Sequence, residues 1–361
     1  MLSYFQARRD EISAFLRELF REKGSEYERI NPLGRDLGER LFRFAIQGKM
    51  LRGGLVSLGY AVSPGRAAAE AGSPVRAALN CAGAAMELLQ SGLLVHDDIM
   101  DRDTIRRGHP TIFYQYAERA EREGVRDARH LGEALGICAG DVCYFLAFEL
   151  LSRLPVTDPL LRQVLALCGR ELARVAVAQM QDVSWGSTAD APDEEEVLRL
   201  YVYKTGRYTF SLPLALGGVL GQADARALER LERLGECLGI LFQIRDDELG
   251  LFGDPAKLGK PVGSDVREGK KTLFYSYLRR RASAEELKKL DSIFGNPQAG
   301  EAELELVHRL LDRLGVRPAV RERSEAFLSE ARALVAGLPD PAGEERGVLS
   351  ELLEYTLARP S

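Results

Sequence analysis

Apolar residues recur at helical spacing along most of the chain, and no stretch alternates apolar and polar residues as a half-buried strand would. Ser73-Pro74 reads as an N-cap followed by proline at the first helical position. Behind it the pattern predicts one long helix over about residues 75–100. Two more are predicted over about 132–154 and 160–183. Pro192 followed by Asp193-Glu194-Glu195-Glu196 puts acids in a first turn, where the helix dipole favours them, and that helix should end near Lys204. Helices over 210–220 and 224–250 follow, and Ser283-x-x-Glu286 is a capping box that opens another. The expected loops are 63–73, 184–192, 253–269, 295–300 and 338–343. Asn-Gly hairpins, GxGxxG and internal repeats are absent from the sequence, so the predicted fold class is all-α.

Two of these apolar runs end in acids. Leu88-Leu89-Gln90-Ser91-Gly92-Leu93-Leu94-Val95 leads into Asp97-Asp98-Ile99-Met100-Asp101, and the run around Leu238 and Phe242 leads into Asp246-Asp247-Glu248. A carboxylate buried without a partner is costly, so both clusters demand counter-charge. On a helix Asp97 and Asp101 stand at i and i+4 and point the same way. At that spacing they can share Mg²⁺ ions, which take oxygen ligands and often bridge to phosphate. Asp246 and Asp247 would form a second bank. If the banks share one site, the helices carrying them must face each other. That argues for a single domain, 1–361, built as a helical bundle with a deep central cavity, although the length alone suggests two or three domains.

Cations follow in groups: Lys49 and Arg52, Arg106 and Arg107, Lys204, then Lys257 and Lys260 in a Gly/Pro-rich loop. Together they exceed what one metal-bound diphosphate needs, which points to a second diphosphate site that works without metal. The net charge of −5 and the dispersed basic residues argue against a nucleic-acid partner. The five cysteines form no CxxC pair, so neither zinc nor a disulfide framework is expected and a reducing, cytoplasmic location fits. The first residues are amphipathic and charged from Arg8 onward, unlike a signal peptide. No run of about 18 uncharged apolar residues occurs, so no membrane span is expected.

The ordered set Gly48-Lys49-x-Leu51-Arg52, Glu87-x-x-Gln90, Asp97-Asp98-x-x-Asp101, Arg106-Arg107-Gly108-x-Pro110-Thr111, Gln179-x-x-Asp182, Lys204-Thr205-Gly206, Phe242-Gln243-x-x-Asp246-Asp247 and Gly259-Lys260-Pro261 resembles the trans-isoprenyl diphosphate synthases of the polyprenyl synthetase family. The motif-bearing core covers about 47–272. The resemblance implies the isoprenoid-synthase type of all-α fold, several Mg²⁺ ions bound with an allylic diphosphate, and a homodimer. It implies that Asp97, Asp101 and Asp246, with Asp98 and Asp247 in support, hold Mg²⁺. Arg106, Lys204 and Lys260 would bind the allylic diphosphate, and Lys49, Arg52 and Arg107 the diphosphate of isopentenyl diphosphate. Gln90 stands where many members have histidine, as a substrate-binding residue. Thr205 and Gln243 would flank the reacting carbons. The released pyrophosphate is thought to take the proton, which agrees with the lack of a Ser/His/Asp set. His96 is assigned to packing or hydrogen bonding.

The second motif departs from the family's DDxxD, because position 250 is Gly250. The run from Asp246 through Gly250 to Asp254 also distantly resembles the second metal motif of terpene synthases. Activity is expected to survive the change. Product length should follow the depth available along the helix before Asp97. One turn advances about 5.4 Å, close to one extended isoprene unit. Gly92 and Leu93 leave the first floor open where members that stop at fifteen carbons carry aromatics; the alternative is that Gly92 simply allows close helix packing. Leu88 and Leu89, with Met86, would close the cavity deeper, giving twenty carbons, geranylgeranyl diphosphate. Residues of the facing helix, around 142–148, could move that limit. Two other classes remain: a terpene cyclase, which needs no second diphosphate site, and a non-catalytic subunit of a prenyl synthase.

Overall fold

A computed structural model describes residues 1–66, 72–188, 191–253, 263–339 and 344–358. The chain divides into two compact units. The first comprises Met1–Leu167 and Pro213–Asp224, the second Cys168–Leu212 and Ala225–Ser361.

The first unit holds α1 (Leu2–Glu28), α2 (Leu33–Ile46), α3 (Leu51–Ala61), α4 (Pro74–Met100), the two-residue strands β1 (Ile105–Arg106) and β2 (His109–Pro110), α5 (Ile112–Arg122) and α6 (Ala128–Ser152). Ser73 caps α4 as predicted, its side chain accepting from the Arg76 N–H at 3.2 Å. α4 is the spine of the unit, packed on α6, α3 and α1. Leu79, Met86 and Leu88 of α4 are fully buried, with Leu16 of α1 and Leu55 and Leu58 of α3. Burying a leucine-sized side chain stabilises a fold by about 1.5–3 kcal/mol, so this seam fixes the height and rotation at which α4 presents its C-terminal acids.

α7 (Asp158–Ser187) starts in the first unit and continues into the second. There α8 (Glu194–Leu200) opens on a capping box formed by Asp193 and Glu196. It runs without a break into a π-helix (Tyr201–Ser211) and on into α9 (Leu212–Leu220), which belongs to the first unit from Pro213 onward. α10 (Ala225–Phe252) packs on the π-helix and, further on, against α15. α11 (Ser264–Arg267), α12 (Leu273–Arg281), α13 (Ala284–Ile293), α14 (Glu301–Arg313), α15 (Val316–Ala336) and α16 (Glu344–Ala358) complete the unit. The Ser283/Glu286 capping box is present at the start of α13.

The all-α prediction holds, with local corrections. The helix expected to end at Lys204 instead continues, and Lys204-Thr205-Gly206 lies inside the π-helix. No local signal marks that i→i+5 register, which is set by packing described below. α7 extends to Ser187, beyond the predicted 183. Strand structure is not wholly absent: Ile105 pairs with Pro110 and Arg106 with His109, antiparallel. The turn residues Arg107 and Gly108 have φ of 53° and 76°, as a tight two-residue hairpin requires. Arg107-Gly108 makes the turn without the Asn-Gly pair usual in such hairpins. By length and composition α4 and α6 are apolar enough to cross a membrane; α4 buries 72% of its apolar window inside the protein and α6 only 44%. The first is therefore a core helix, and the second presents an apolar outer face.

Candidate active site

In the first unit, α4 delivers its acids in two layers. Asp98 is fully buried, Asp97 half-buried and Asp101 exposed. Arg106, held on β1, ion-pairs with Asp98 through Nε and lies 3.5 Å from Asp97 Oδ2 and 4.0 Å from Asp103 Oδ2. Burial pushes the Asp98 carboxyl up to about 7 against the pull of Arg106, with the like charge of Asp97 adding to the rise. Asp98 Oδ2 is buried and accepts no hydrogen bond. A set of oxygen donors with one buried orphan oxygen fits a hard cation such as Mg²⁺. Among the described residues no three acidic, histidine or cysteine side chains converge closely enough to hold a metal by themselves. Water and phosphate oxygens would have to complete a Mg²⁺ shell, as that ion prefers.

Further back on α4, Glu87 gathers a group of cations. Met50, with φ 49°, precedes α3 and offers the helix no side-chain cap. Glu87 from α4 takes that place: its Oε1 accepts the Gly53 N–H at 2.8 Å. Glu87 is buried, and burial raises its pKa against the opposing charges of Arg52 and Arg107. Glu87 thus lies within reach of two cations, Arg52 and Arg107. Arg107 reaches back over the start of this segment, its Nη1 3.0 Å from where a Cβ on Gly48 would stand. Burial first, then the neighbouring charges of Arg106 and Arg52, lower the pKa of Arg107. Cations crowded in this way are stabilised by an added anion. Gln90, one turn beyond Glu87 on α4, is buried with its Oε1 unpaired. The acidic residue inside an otherwise apolar run was the available signal for Glu87.

The second unit carries a hydrogen-bonded chain. Thr205 Oγ1 donates to Gln243 Oε1 at 2.8 Å, and Gln243 Nε2 donates to Asp247 Oδ1 at 2.8 Å. The Tyr201 hydroxyl donates to Asp247 Oδ2 and accepts the Leu273 N–H at 2.8 Å. Both oxygens of buried Asp247 are therefore engaged from inside, and burial pushes its carboxyl up to about 8. Asp247 orients Gln243 and Tyr201, while Asp246, next to it, is exposed. Lys204 ion-pairs with Asp182 of α7. Lys257 and Lys260 lie outside the described residues.

The π-helix comes this close to α10 because glycines meet at the crossing. A Cβ on Gly239 would lie 2.0 Å from the Gly206 Cα. One turn beyond that crossing Thr205 and Gln243 fall within hydrogen-bond reach. Arg207 anchors the same segment. Its guanidinium meets Glu171 at 2.6 and 3.0 Å, Glu232 at 2.7 Å and Glu236 at 2.5 Å. Burial alone would raise Glu171, but Arg207 overrides it and holds that carboxyl below the usual range.

The tail wall needs one correction. Leu88 and Leu89 are buried on α4 as expected, and Leu93 is half-buried. The space beside Gly92 is not open: a Cβ there would meet Tyr144 Cε1 at 2.6 Å and the Gly140 carbonyl oxygen at 2.9 Å. The glycine lets α6 approach, and the aromatic comes from that facing helix. His96 fills the assigned structural part, its Nε2 3.1 Å from the Ile137 carbonyl oxygen and its ring edge-on to Tyr144.

A largely helical fold that carries acids at the end of α4 and cations beside them is the arrangement found here. Residues 37–311 match the family model for polyprenyl synthetase, and the chain belongs to that family. It is 35% identical to a geranylgeranyl diphosphate synthase of Saccharolobus solfataricus over 77% of this chain and 79% of that one. It is also 35% identical to a short chain isoprenyl diphosphate synthase of Methanocaldococcus jannaschii, where the match spans 62% of each chain. A crystal structure of geranylgeranyl pyrophosphate synthase from Corynebacterium glutamicum, complexed with isoprenyl diphosphate and magnesium, superposes with a TM-score of 0.88 at 26% identity, covering 99% of this chain and 98% of that one.

Proposed function

We propose that this prenyltransferase joins an allylic diphosphate to isopentenyl diphosphate, releases pyrophosphate and makes geranylgeranyl diphosphate. The observation that supports the reading is that two cations, Arg52 and Arg107, gather around Glu87, while a third, Arg106, pairs with Asp97 and Asp98. One chain then has separate places for a metal-bound and a metal-free diphosphate, which elongation needs and cyclisation does not.

Asp97 and Asp101 of the first unit, and Asp246 of the second, are each assigned to hold Mg²⁺, which would stabilise charge developing on a departing diphosphate. Arg106 turns its guanidinium toward the same group, fixed from behind by Asp98. Lys204, kept in place by Asp182, adds a point charge. Lys49, Arg52, Arg107 and Gln90 orient isopentenyl diphosphate so that its double bond faces the allylic carbon. The Thr205 and Gln243 dipoles stabilise the allylic cation without offering a strong nucleophile. The apolar wall of α4 keeps water from that cation.

Leu88 and Leu89, buried deeper along α4 than the contact of Gly92 with Tyr144, are the residues assigned to limit the tail. Incubation with labelled isopentenyl diphosphate and each allylic primer, followed by mass analysis, should give a twenty-carbon product, and Leu88→Ala should give longer ones. No consumption of isopentenyl diphosphate would favour a cyclase, and inactivity of the purified chain would favour a partner subunit.

A homodimer is part of this reading. Leu131, Ile137 and Phe145 are exposed on α6, with Ile137 and Phe145 two turns apart on one face. Sedimentation should show a dimer that Phe145→Glu weakens; a monomeric wild type would exclude this assignment. A cytoplasmic location accords with the five cysteines, all of them free thiols.

A further inference from the structure

Four side chains between the π-helix and α10 form one hydrogen-bonded ladder. Tyr201 and Thr205 stand four residues apart on the π-helix, and Gln243 and Asp247 four apart on α10. On α10 that spacing puts both side chains on one face. Thr205 pairs with Gln243 and Tyr201 with Asp247, and the Gln243–Asp247 bond joins the two rungs. Burial falls along the ladder: Tyr201 and Asp247 are buried, Gln243 and Thr205 half-buried.

The direction of the ladder is set at its buried end. The Leu273 N–H, fixed by the start of α12, donates to the Tyr201 hydroxyl oxygen at 2.8 Å. The hydroxyl proton must then point away from it, and it meets Asp247 Oδ2. Asp247 accepts at both oxygens, so the Gln243 amide turns its Nε2 end inward, at 2.8 Å from Asp247 Oδ1. Its Oε1 is left for Thr205, whose hydroxyl donates to it at 2.8 Å. Tyr201 lies three residues before Lys204-Thr205-Gly206, outside that motif.

We propose that Tyr201 is a positioning residue for the prenyl transfer: through Asp247 it fixes which end of the Gln243 amide meets Thr205, so that Thr205 and Gln243 offer oxygen lone pairs, not protons, to an allylic cation. Asp247 is then an internal support, whereas Asp246 beside it is exposed. The inference rests on the reading of Thr205 and Gln243 as the groups that flank the reacting carbons.

The test is steady-state turnover of the full chain with an allylic primer and isopentenyl diphosphate, read well below each variant's melting temperature. Tyr201→Phe removes one oxygen and keeps the ring. It should lower kcat by about tenfold to a hundredfold and leave both KM values nearly unmoved, because no diphosphate-binding cation is touched. Thr272→Ala removes the cap of the same α12 start without touching Asp247, and should lower the melting temperature but not kcat. In a double-mutant cycle Tyr201→Phe should cost little more once Gln243→Ala is present, since both act through one amide. A Tyr201→Phe chain too unstable to assay is replaced by Tyr201→Phe/Asp247→Asn, which leaves no buried carboxylate facing the gap. Its kcat should stay low, because asparagine can turn either end to Gln243. Wild-type kcat in a folded Tyr201 variant, an equal loss in Thr272→Ala, or full additivity with Gln243→Ala overturns the proposal. Wild-type turnover by Gln243→Ala alone would instead overturn the reading beneath it.

Discussion

Asp97→Ala leaves the protein folded and lowers turnover by at least about a hundredfold to a thousandfold. Asp97 is half-buried, so its loss opens no large cavity in the core. Its carboxylate lies 3.5 Å from Arg106 Nη2, on the open side of a pair whose buried side is Asp98. Asp98 cannot substitute, because its position is fixed by Arg106 and by burial. Asp101, one turn away, would remain without a second carboxylate at i−4 to share a metal. A metal-bound diphosphate then loses a direct oxygen ligand at the point where charge develops. Steady-state rates with an allylic primer and isopentenyl diphosphate check this, with circular dichroism confirming the fold. A rate within a few-fold of wild type would contradict the metal assignment.

Arg207→Met destabilises the protein by about 3–5 kcal/mol, the cost of breaking a buried ion pair by removing one partner. Glu171 is 1% exposed and Arg207 9%, and the arginine also satisfies Glu232 and Glu236. Methionine fills similar space but leaves three carboxylates without the cation that joins them. Urea unfolding would reveal a lowered midpoint with an unchanged slope. The same change should lower kcat in the fraction that stays folded, because Arg207 lies two residues from Thr205 on the π-helix. A midpoint shifted by less than 1 kcal/mol would mean that solvent already screens the cluster.

Much of this was legible along the chain because the signals are local. The Ser73-Pro74 start of α4, the first-turn acids of α8 and the Ser283/Glu286 box are each set by residues within one turn of the helix end. Apolar runs ending in paired aspartates marked both banks, since carboxylates at the end of a core helix demand a counter-charge. The hairpin at Arg106–His109 escaped because it is a two-residue ladder, too short for any alternation to appear. Glu87 stood within a recognised motif, yet its part as cap of α3 depends on how α3 abuts α4.

The sequence by itself determined the helical class, the family, and the identity of the acids and cations, because periodicity and residue chemistry are local properties. Tertiary structure alone decided which of those groups act from the surface and which from behind. Adjacent aspartates on a helix point about 100° apart, so packing exposes Asp246 and buries Asp247. It also decided that Tyr144 closes the space beside Gly92, and that Tyr201 reaches Asp247. Those outcomes depend on how closely two backbones approach, a distance that no single segment encodes.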